Sequence, residues 1–360
     1  MNKKIAVLPG DGIGPEVVRQ AKKVLQSVEE IYGYSFEYKE GLVGAIAIDE
    51  AGDPFPQDTE EICRKADAIL FGAIGHPKYD DNPKAKIRPE QGLLAMRKKL
   101  GLFANVRPVS SYNALLPISP LKEEIIQGAD FVVFRELTGG IYFGQPRGRS
   151  EDGNSAFDSC TYSKDEIIRV SKLAFEAALN RNKRVTLVDK ANVLATSRLW
   201  RETVQNLASE YPDVSLDFMF VDNAAMKIIQ NPRYFDVVLT ENMFGDIITD
   251  EASVISGSLG MLPSASIGKS QSLYEPIHGS YPQAAGKDIA NPFGAILSAA
   301  MLLEYSFDLV NEARLVQQSV VQALEEGFVT EDINRETAKS TSQVGDRIVS
   351  IMNELAAVNS

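Results

Sequence analysis

Short runs of β-branched and aliphatic residues recur along the chain with amphipathic stretches between them, and this alternation most narrows the folds open to it. KKIAVL, ADAILFGAIG, ADFVVFRE, RVTLVDK, LDFMFVD and FDVVLTEN read as strands. Strand, helix and strand in succession make a parallel unit, so the pattern predicts an α/β protein. The first helix is marked by Pro15, whose fixed φ suits an opening turn, and by Val17, Val18, Ala21, Val24, Leu25, Val28 and Ile31 on one stripe. Another is predicted from Ser163, where Glu166 completes a capping box ahead of Ile167, Val170, Ala174 and Ala177. The 360 residues suffice for two domains, and 44% apolar residues can fill their cores.

Composition removes several function classes. With 49 acidic and 37 basic residues the net charge is −12, which disfavours phosphate backbones and anionic membranes as partners. No basic stripe with interleaved aromatics argues for nucleic acid. The two cysteines, Cys63 and Cys160, make neither a disulfide framework nor a zinc site, and fit a reducing cytoplasm. The first apolar run ends at Pro9, and the run Ala295–Leu303 is interrupted by Ser298 and closed by Glu304, short of the ~18 residues of a membrane span. A soluble, cytoplasmic protein with no membrane partner is expected.

Only two histidines occur, His76 and His278, so carboxylates, lysine, tyrosine and arginine must carry any chemistry. In open α/β sheets ligands gather at the carboxyl ends of strands, where this chain places Arg135 and Glu136, Asp189 and Lys190, and Asp222. Asp246 and Asp250 stand four apart, hence on one face of a helix whose Met243, Phe244, Ile247, Ile248 and Ala252 suggest burial. Buried carboxylates need a partner, and with Asp222 as a third oxygen donor that partner would be a hard cation, Mg²⁺ or Mn²⁺. Arg97, Arg107 and Arg135 adjoin apolar segments, and three guanidinium forks suit a di- or tricarboxylate. GDGIGPE after the first strand spaces its glycines G-x-G-x-G, which departs from the dinucleotide fingerprint but implies a tight strand-to-helix turn. The glycine-rich stretch 137–161, with Ile141, Tyr142 and Phe143 together, reads either as a flexible loop or as a β-ribbon packing on a second subunit.

Taken in order, KIAVLPGDGIGPEV, RPEQGLLAMRK, LFANVRP, RELTGGIYFG, DKANVL, FVDNAAM, NMFGDIITDEASVISGSLGMLPSAS and YEPIHGSYPQAAGKDIANP make the chain similar to the β-decarboxylating dehydrogenases, most closely their isopropylmalate branch. The resemblance runs nearly end to end. It implies that Arg97, Arg107 and Arg135 hold the malate carboxylates, that Asp222, Asp246 and Asp250 bind Mg²⁺ or Mn²⁺, that Lys190 is the base and that Tyr142 protonates the enolate. Asp222 would also approach the substrate. Tyr142, Lys190 and Asp222 would reach each site from the partner subunit of a homodimer. Glu90, Leu93, Leu94 and Val193 would line an apolar pocket for the isopropyl group, where a third carboxylate would be desolvated without a partner.

The cofactor implied is NAD, held by Ile13, Glu90, Glu275, His278, Gly279, Gln283, Ala285 and Asn291. Gln283 stands where NAD-using members have an aspartate on the adenosine ribose. The fold implied is not a Rossmann domain but two doubly wound α/β domains sharing a mixed sheet. The first would comprise residues 1–102 and 257–360, and the second 103–256, with the dimer arm at about 137–161. The activity implied is oxidative decarboxylation of 3-isopropylmalate in leucine biosynthesis. The nearest alternatives are relatives acting on D-malate, tartrate or homoisocitrate, and a non-catalytic nucleotide- or metal-binding scaffold.

Overall fold

The computed structural model describes residues 1–80 and 87–359. In chain order its strands are β1 Asn2–Gly10, β2 Ser35–Glu40, β3 Ala68–Ala73, β4 Leu102–Ser110, β5 Asp130–Glu136, β6 Arg147–Arg149, β7 Ala156–Asp158, β8 Arg184–Asp189, β9 Ser215–Phe220, β10 Val237–Thr240, β11 Pro263–Gly268 and β12 Ser272–Pro276. The chain divides into two compact units. Unit 1 is Met1–Leu102, Tyr112–Ser119 and Ser256–Ser360; unit 2 is Phe103–Ser111 and Pro120–Ile255. Residues 112–119, expected with the second domain, cluster with unit 1.

In unit 1 the strands lie in the order β2-β1-β3-β12-β11, all parallel except β11, which runs antiparallel to β12. Every residue of β3 is buried, which is why AILFGA is apolar throughout rather than alternating: a strand covered on both faces has no solvent side. Leu8, Phe55, Ile69, Phe71, Met96 and Leu273 form one core cluster, each burial favourable by roughly 1.5–3 kcal/mol. The helix Gly14–Tyr32 buries Val17, Val18, Ala21, Val24, Leu25 and Val28 of the stripe read from the sequence, and leaves Ile31 half-buried. The apolar run Ala295–Leu303 lies in the helix Phe293–Phe307, buried on all sides from Phe293 to Leu303. Among the described residues no helix is long and apolar enough to cross a membrane.

A charge cluster closes this unit. Arg347 Nε lies 2.7 Å from Glu326 and its Nη1 2.6 Å from Glu354, and the bonds from Arg347 hold the Glu326 carboxyl down at about 2. A carboxyl whose folded pKa is depressed stabilises the fold above its unfolded pKa and loses that contribution as pH falls toward the folded value. Arg347→Met is therefore expected to lower Tm at pH 7 by about 2 °C, partial exposure keeping the effect small. The difference should fade between about pH 4.5 and 2 in thermal scans. A deficit of equal size at pH 2 would assign the loss to something other than this pair.

In unit 2 the order is β4-β5-β10-β8-β9, with β4 antiparallel to β5 and the rest parallel. The helix Lys164–Leu179 starts at Ser163 with both halves of the capping box formed. Phe131, Phe175, Val185, Leu187, Trp200 and Leu239 are buried in this unit. The parallel strands point their carboxyl ends the same way, so Arg135, Lys190, Glu241 and Asp222 follow from one edge. The glycine-rich stretch holds a ribbon, but β6 pairs β7 only over 147–149 and 156–158. Ile141 and Tyr142 stand outside it, in a short 3₁₀ turn over Gly140–Tyr142.

Candidate active site

Arg135, at the end of β5, is buried, and a buried guanidinium must be matched. Its Nη1 donates to Asp246 Oδ1, while its Nε and Nη2 donate to Asn242 Oδ1 at 3.0 and 2.8 Å. Both partners lie on the helix Asn242–Ala252, capped by Glu241, which accepts from the Phe244 amide at 2.9 Å. Arg107 comes from β4, where its Nε donates to Asn105 at 2.7 Å; its Nη1 donates to Thr249 at 2.6 Å and to Asp250 at 3.3 Å. The Tyr142 hydroxyl donates to Asp246 Oδ2 at 2.9 Å. Burial first, then this bond to Asp246, raises the Tyr142 phenol above its ordinary value, so it stays protonated at neutral pH.

Two arginines, two carboxylates and a phenol are thus brought together within unit 2. The guanidiniums are 5% and 11% exposed and the carboxylates 35% and 68%, so the acidic side of the cluster is the side open to solvent. Asp246 and Asp250 supply hard oxygen donors from one helix face with no sulfur or imidazole beside them, a set that fits Mg²⁺ or Mn²⁺.

Lys190 and Asp222 form a separate pair. Lys190 follows β8, its main-chain amide donating to Ser197 Oγ at 3.0 Å, and its Nζ donates to Asp222 Oδ1 at 2.6 Å. Asp222 opens the helix Val221–Gln230 after β9, and the bond from Lys190 holds its carboxyl below the ordinary range. Among the described residues of one chain no three His, Cys, Asp or Glu side chains group as a metal site would require, so Asp222 does not join Asp246 and Asp250 within a chain. The other strand-end carboxylates are committed to structure. Arg201 holds Asp189 by two bonds of 2.9 and 2.8 Å, and the buried Glu136 accepts from Thr138 and Gly139 amides and from Arg169.

One expectation is corrected. Tyr142 does not stand with Lys190 and Asp222 as a group supplied by the partner; it belongs to the same chain as Asp246 and bonds to it. The reason is local: its turn follows β5 by three residues and is tied down where Gly140 N donates to Thr161 O at 3.0 Å. The ribbon strands beyond it, Arg147–Arg149 and Ala156–Asp158, are exposed throughout.

In unit 1, Arg97 lies on the helix Glu90–Leu100, its Nη2 3.6 Å from Glu275. On the same helix Leu93 packs against the unit's core while Leu94 is 46% exposed. Val193, in unit 2, is 62% exposed. Ile13, His278, Gly279 and Asn291 line one cavity of about 420 Å³, together with Glu331 and Arg335. Ile13 reaches it because Gly12 has φ +58° and a Cβ there would lie 1.9 Å from Ser280 O, a close approach only glycine allows. Burial lowers the His278 pKa and keeps the ring neutral; its Nδ1 meets Gly279 O at 2.9 Å and its buried Nε2 has no partner among the described residues. An orphaned ring nitrogen in a cavity of this size fits the adenosine half of a dinucleotide. Asn291 presents little but main chain, since its side chain donates to Asp332 at 2.9 Å and accepts from Phe293 N at 2.9 Å. Glu90, Glu275, Gln283 and Ala285 are not among the cavity's lining residues, and Gln283, within the turn Pro282–Ala284, and Ala285, just after it, are exposed.

Several residues of the site were not singled out from sequence. Asn242 and Thr249 were missed although Asn242, Asp246 and Asp250 share one i, i+4 stripe. Asn105 stands two before Arg107 and so on the same strand face. The lining residues Glu331 and Arg335 stand in an irregular stretch after the helix Val310–Glu325, where no periodicity marks them.

The profile of the isocitrate/isopropylmalate dehydrogenase family matches residues 4–348. A 3-isopropylmalate dehydrogenase from Bacteroides fragilis is 54% identical over 351 residues, 97% of this chain and 98% of the relative. One from Aquifex aeolicus is 51% identical over 98% of each chain. Among solved structures, an isocitrate dehydrogenase from Methylococcus capsulatus superposes with a TM-score of 0.86 at 32% identity, covering 97% of this chain and 99% of that one. A β-decarboxylating dehydrogenase from Thermococcus kodakarensis gives 0.82 at 35% identity, covering 99% and 97%. Fold and relatives together define an oxidoreductase of the β-decarboxylating class. The chain belongs to the isocitrate/isopropylmalate dehydrogenase family.

Proposed function

We propose that the chain oxidises and decarboxylates (2R,3S)-3-isopropylmalate to 4-methyl-2-oxopentanoate and CO₂, with NAD⁺ and Mg²⁺ or Mn²⁺, as a cytoplasmic step of leucine biosynthesis. The observation that carries this is the Arg135–Asp246–Tyr142 contact beside Arg107 and Asp250: a carboxylate grip, a cation seat and a proton donor in one cluster. Bound cation would polarise the hydroxyl and the carbonyl it becomes, and the nicotinamide would take the hydride. Arg107 and Arg135 turn their forks to the substrate carboxylates, and Arg97, Leu93, Leu94 and Val193 take the substrate-binding roles implied by the family resemblance. Lys190 takes the hydroxyl proton, and Tyr142, still protonated, gives a proton to the carbon left by CO₂.

Lys190 and Asp222 are proposed to act on a second copy's Asp246 cluster. Supporting this, Ile247 on the helix Asn242–Ala252 is 57% exposed and Met226 on the helix Val221–Gln230 is 54% exposed, apolar surface that a symmetric partner would cover.

Absorbance at 340 nm tests the reading, with NAD⁺ or NADP⁺ and with 3-isopropylmalate, isocitrate or D-malate as substrate. Reduction of NAD⁺ on 3-isopropylmalate that stops with excess chelator is expected; turnover indifferent to chelation overturns it. Leu94→Ser is expected to lower the kcat/KM preference for 3-isopropylmalate over D-malate by about tenfold, as loss of apolar contact in a pocket does. An unchanged preference removes Leu94 from the pocket.

A further inference from the structure

The face that carries Asp246 and Asp250 continues one turn back to Asn242, which the reaction proposed above does not use. Asn242 is 1% exposed, and its amide divides between two parts of the site. The Oδ1 accepts from Arg135 Nε and Nη2, which fixes the plane of the guanidinium and aims Nη1 at Asp246. The Nδ2 donates to Gly139 O at 3.2 Å, three residues before Tyr142. The main-chain amide of Asn242 donates to the Tyr162 hydroxyl at 3.0 Å, and that hydroxyl donates in turn to Glu241 at 2.9 Å. The turn bearing Tyr142 rests on this pair: at Gly140, φ +74°, a Cβ would lie 2.2 Å from the Tyr162 hydroxyl and 3.2 Å from Glu241 Oε2.

We propose that Asn242 is a positioning residue that sets Arg135 and Tyr142 relative to one another, its oxygen holding the carboxylate grip and its nitrogen the turn that carries the proton donor. The proposal rests on the dehydrogenase reading above. Asparagine is required because the two neighbours ask for opposite groups, an acceptor for the guanidinium and a donor for a carbonyl. Aspartate keeps the first bond and turns an acceptor toward Gly139 O, whereas leucine, of similar shape, loses both.

The two variants separate the roles. With Asn242→Asp, binding of 3-isopropylmalate and Mg²⁺ to the cofactor-free enzyme, measured by calorimetry, should stay within about threefold of wild type while kcat falls about 30-fold. With Asn242→Leu both should fall, affinity by about tenfold or more. Should leucine prevent folding, Asn242→Ser, which leaves room for water, should give the same double loss. A residue that served the fold alone would lower Tm without parting kcat from affinity. Folded Asn242→Asp enzyme with kcat within about threefold of wild type overturns the inference, as does equal loss of affinity and kcat in both variants. Wild type that neither binds nor turns over the substrate overturns the dehydrogenase reading and this inference with it; a competent wild type beside a competent Asn242→Asp overturns this inference alone.

Discussion

Lys190→Met is expected to lower kcat by about 10²–10⁴-fold while leaving the binding of 3-isopropylmalate and Mg²⁺ measurable by calorimetry. Methionine keeps the length and apolar stem of lysine and removes only the amine, the proposed proton acceptor. The fold should tolerate the change. Asp222, the group left behind, is 63% exposed and can take water in place of the amine. Without Lys190 the Asp222 carboxyl rises back toward its ordinary value and is still ionised at neutral pH, so no new charge state complicates the comparison. A kcat within about tenfold of wild type would remove Lys190 as the base.

Arg135→Lys is expected to reduce kcat/KM by about 10²–10³-fold, although charge is conserved. Arg135 uses three nitrogens at once: Nη1 on Asp246, and Nε and Nη2 on Asn242. An ammonium is a single point of charge on a shorter reach and cannot reproduce the fork, so the two-nitrogen hold on Asn242 and the proposed bidentate hold on the substrate carboxylate go with it. Steady-state kinetics should place the loss in KM as well as kcat. Near-normal kcat/KM would mean that the substrate carboxylate is held elsewhere.

The residues that were legible in the sequence share a physical cause, as do those that were not. β3, β5, β8 and β10 stood out because strands covered on both faces read as unbroken apolar runs. β2, SFEYKE, lies at the edge of its sheet with one face exposed, and β11 and β12 interrupt their apolar residues with serine and proline; none offered such a run. β4 contains Pro108, which argues against a strand, yet pairs antiparallel with β5 in the register that sets Asn105 opposite Arg135.

At the site, Asp246 and Asp250 were readable because helical periodicity alone puts them on one face. What neutralises them was not readable, because it depends on Arg107 and Arg135, 143 and 111 residues earlier in the chain than the carboxylates they meet, coming to the helix in space. The partner assignment of Tyr142 came with the family resemblance, and nothing local opposed it, because the stretch 137–161 reads equally as a loop or as a ribbon packing on a second subunit. The bonds that pin its first residues to the body, from Asn242 to Gly139 and from Gly140 to Thr161, leave no local sequence signal.

One chain is proposed to supply Arg107, Arg135, Asp246, Asp250 and Tyr142, and a second Lys190 and Asp222. Complementation tests it most directly. Lys190→Met and Arg135→Lys chains, each nearly inactive alone, are co-refolded in equal amounts and assayed at 340 nm with 3-isopropylmalate, NAD⁺ and Mg²⁺. In each mixed dimer one site would hold both native groups and the other neither. Random pairing then predicts recovery of about a quarter of wild-type activity. Activity no higher than the sum of the two separate variants, with mixed dimers shown to be present, would contradict a site shared between chains.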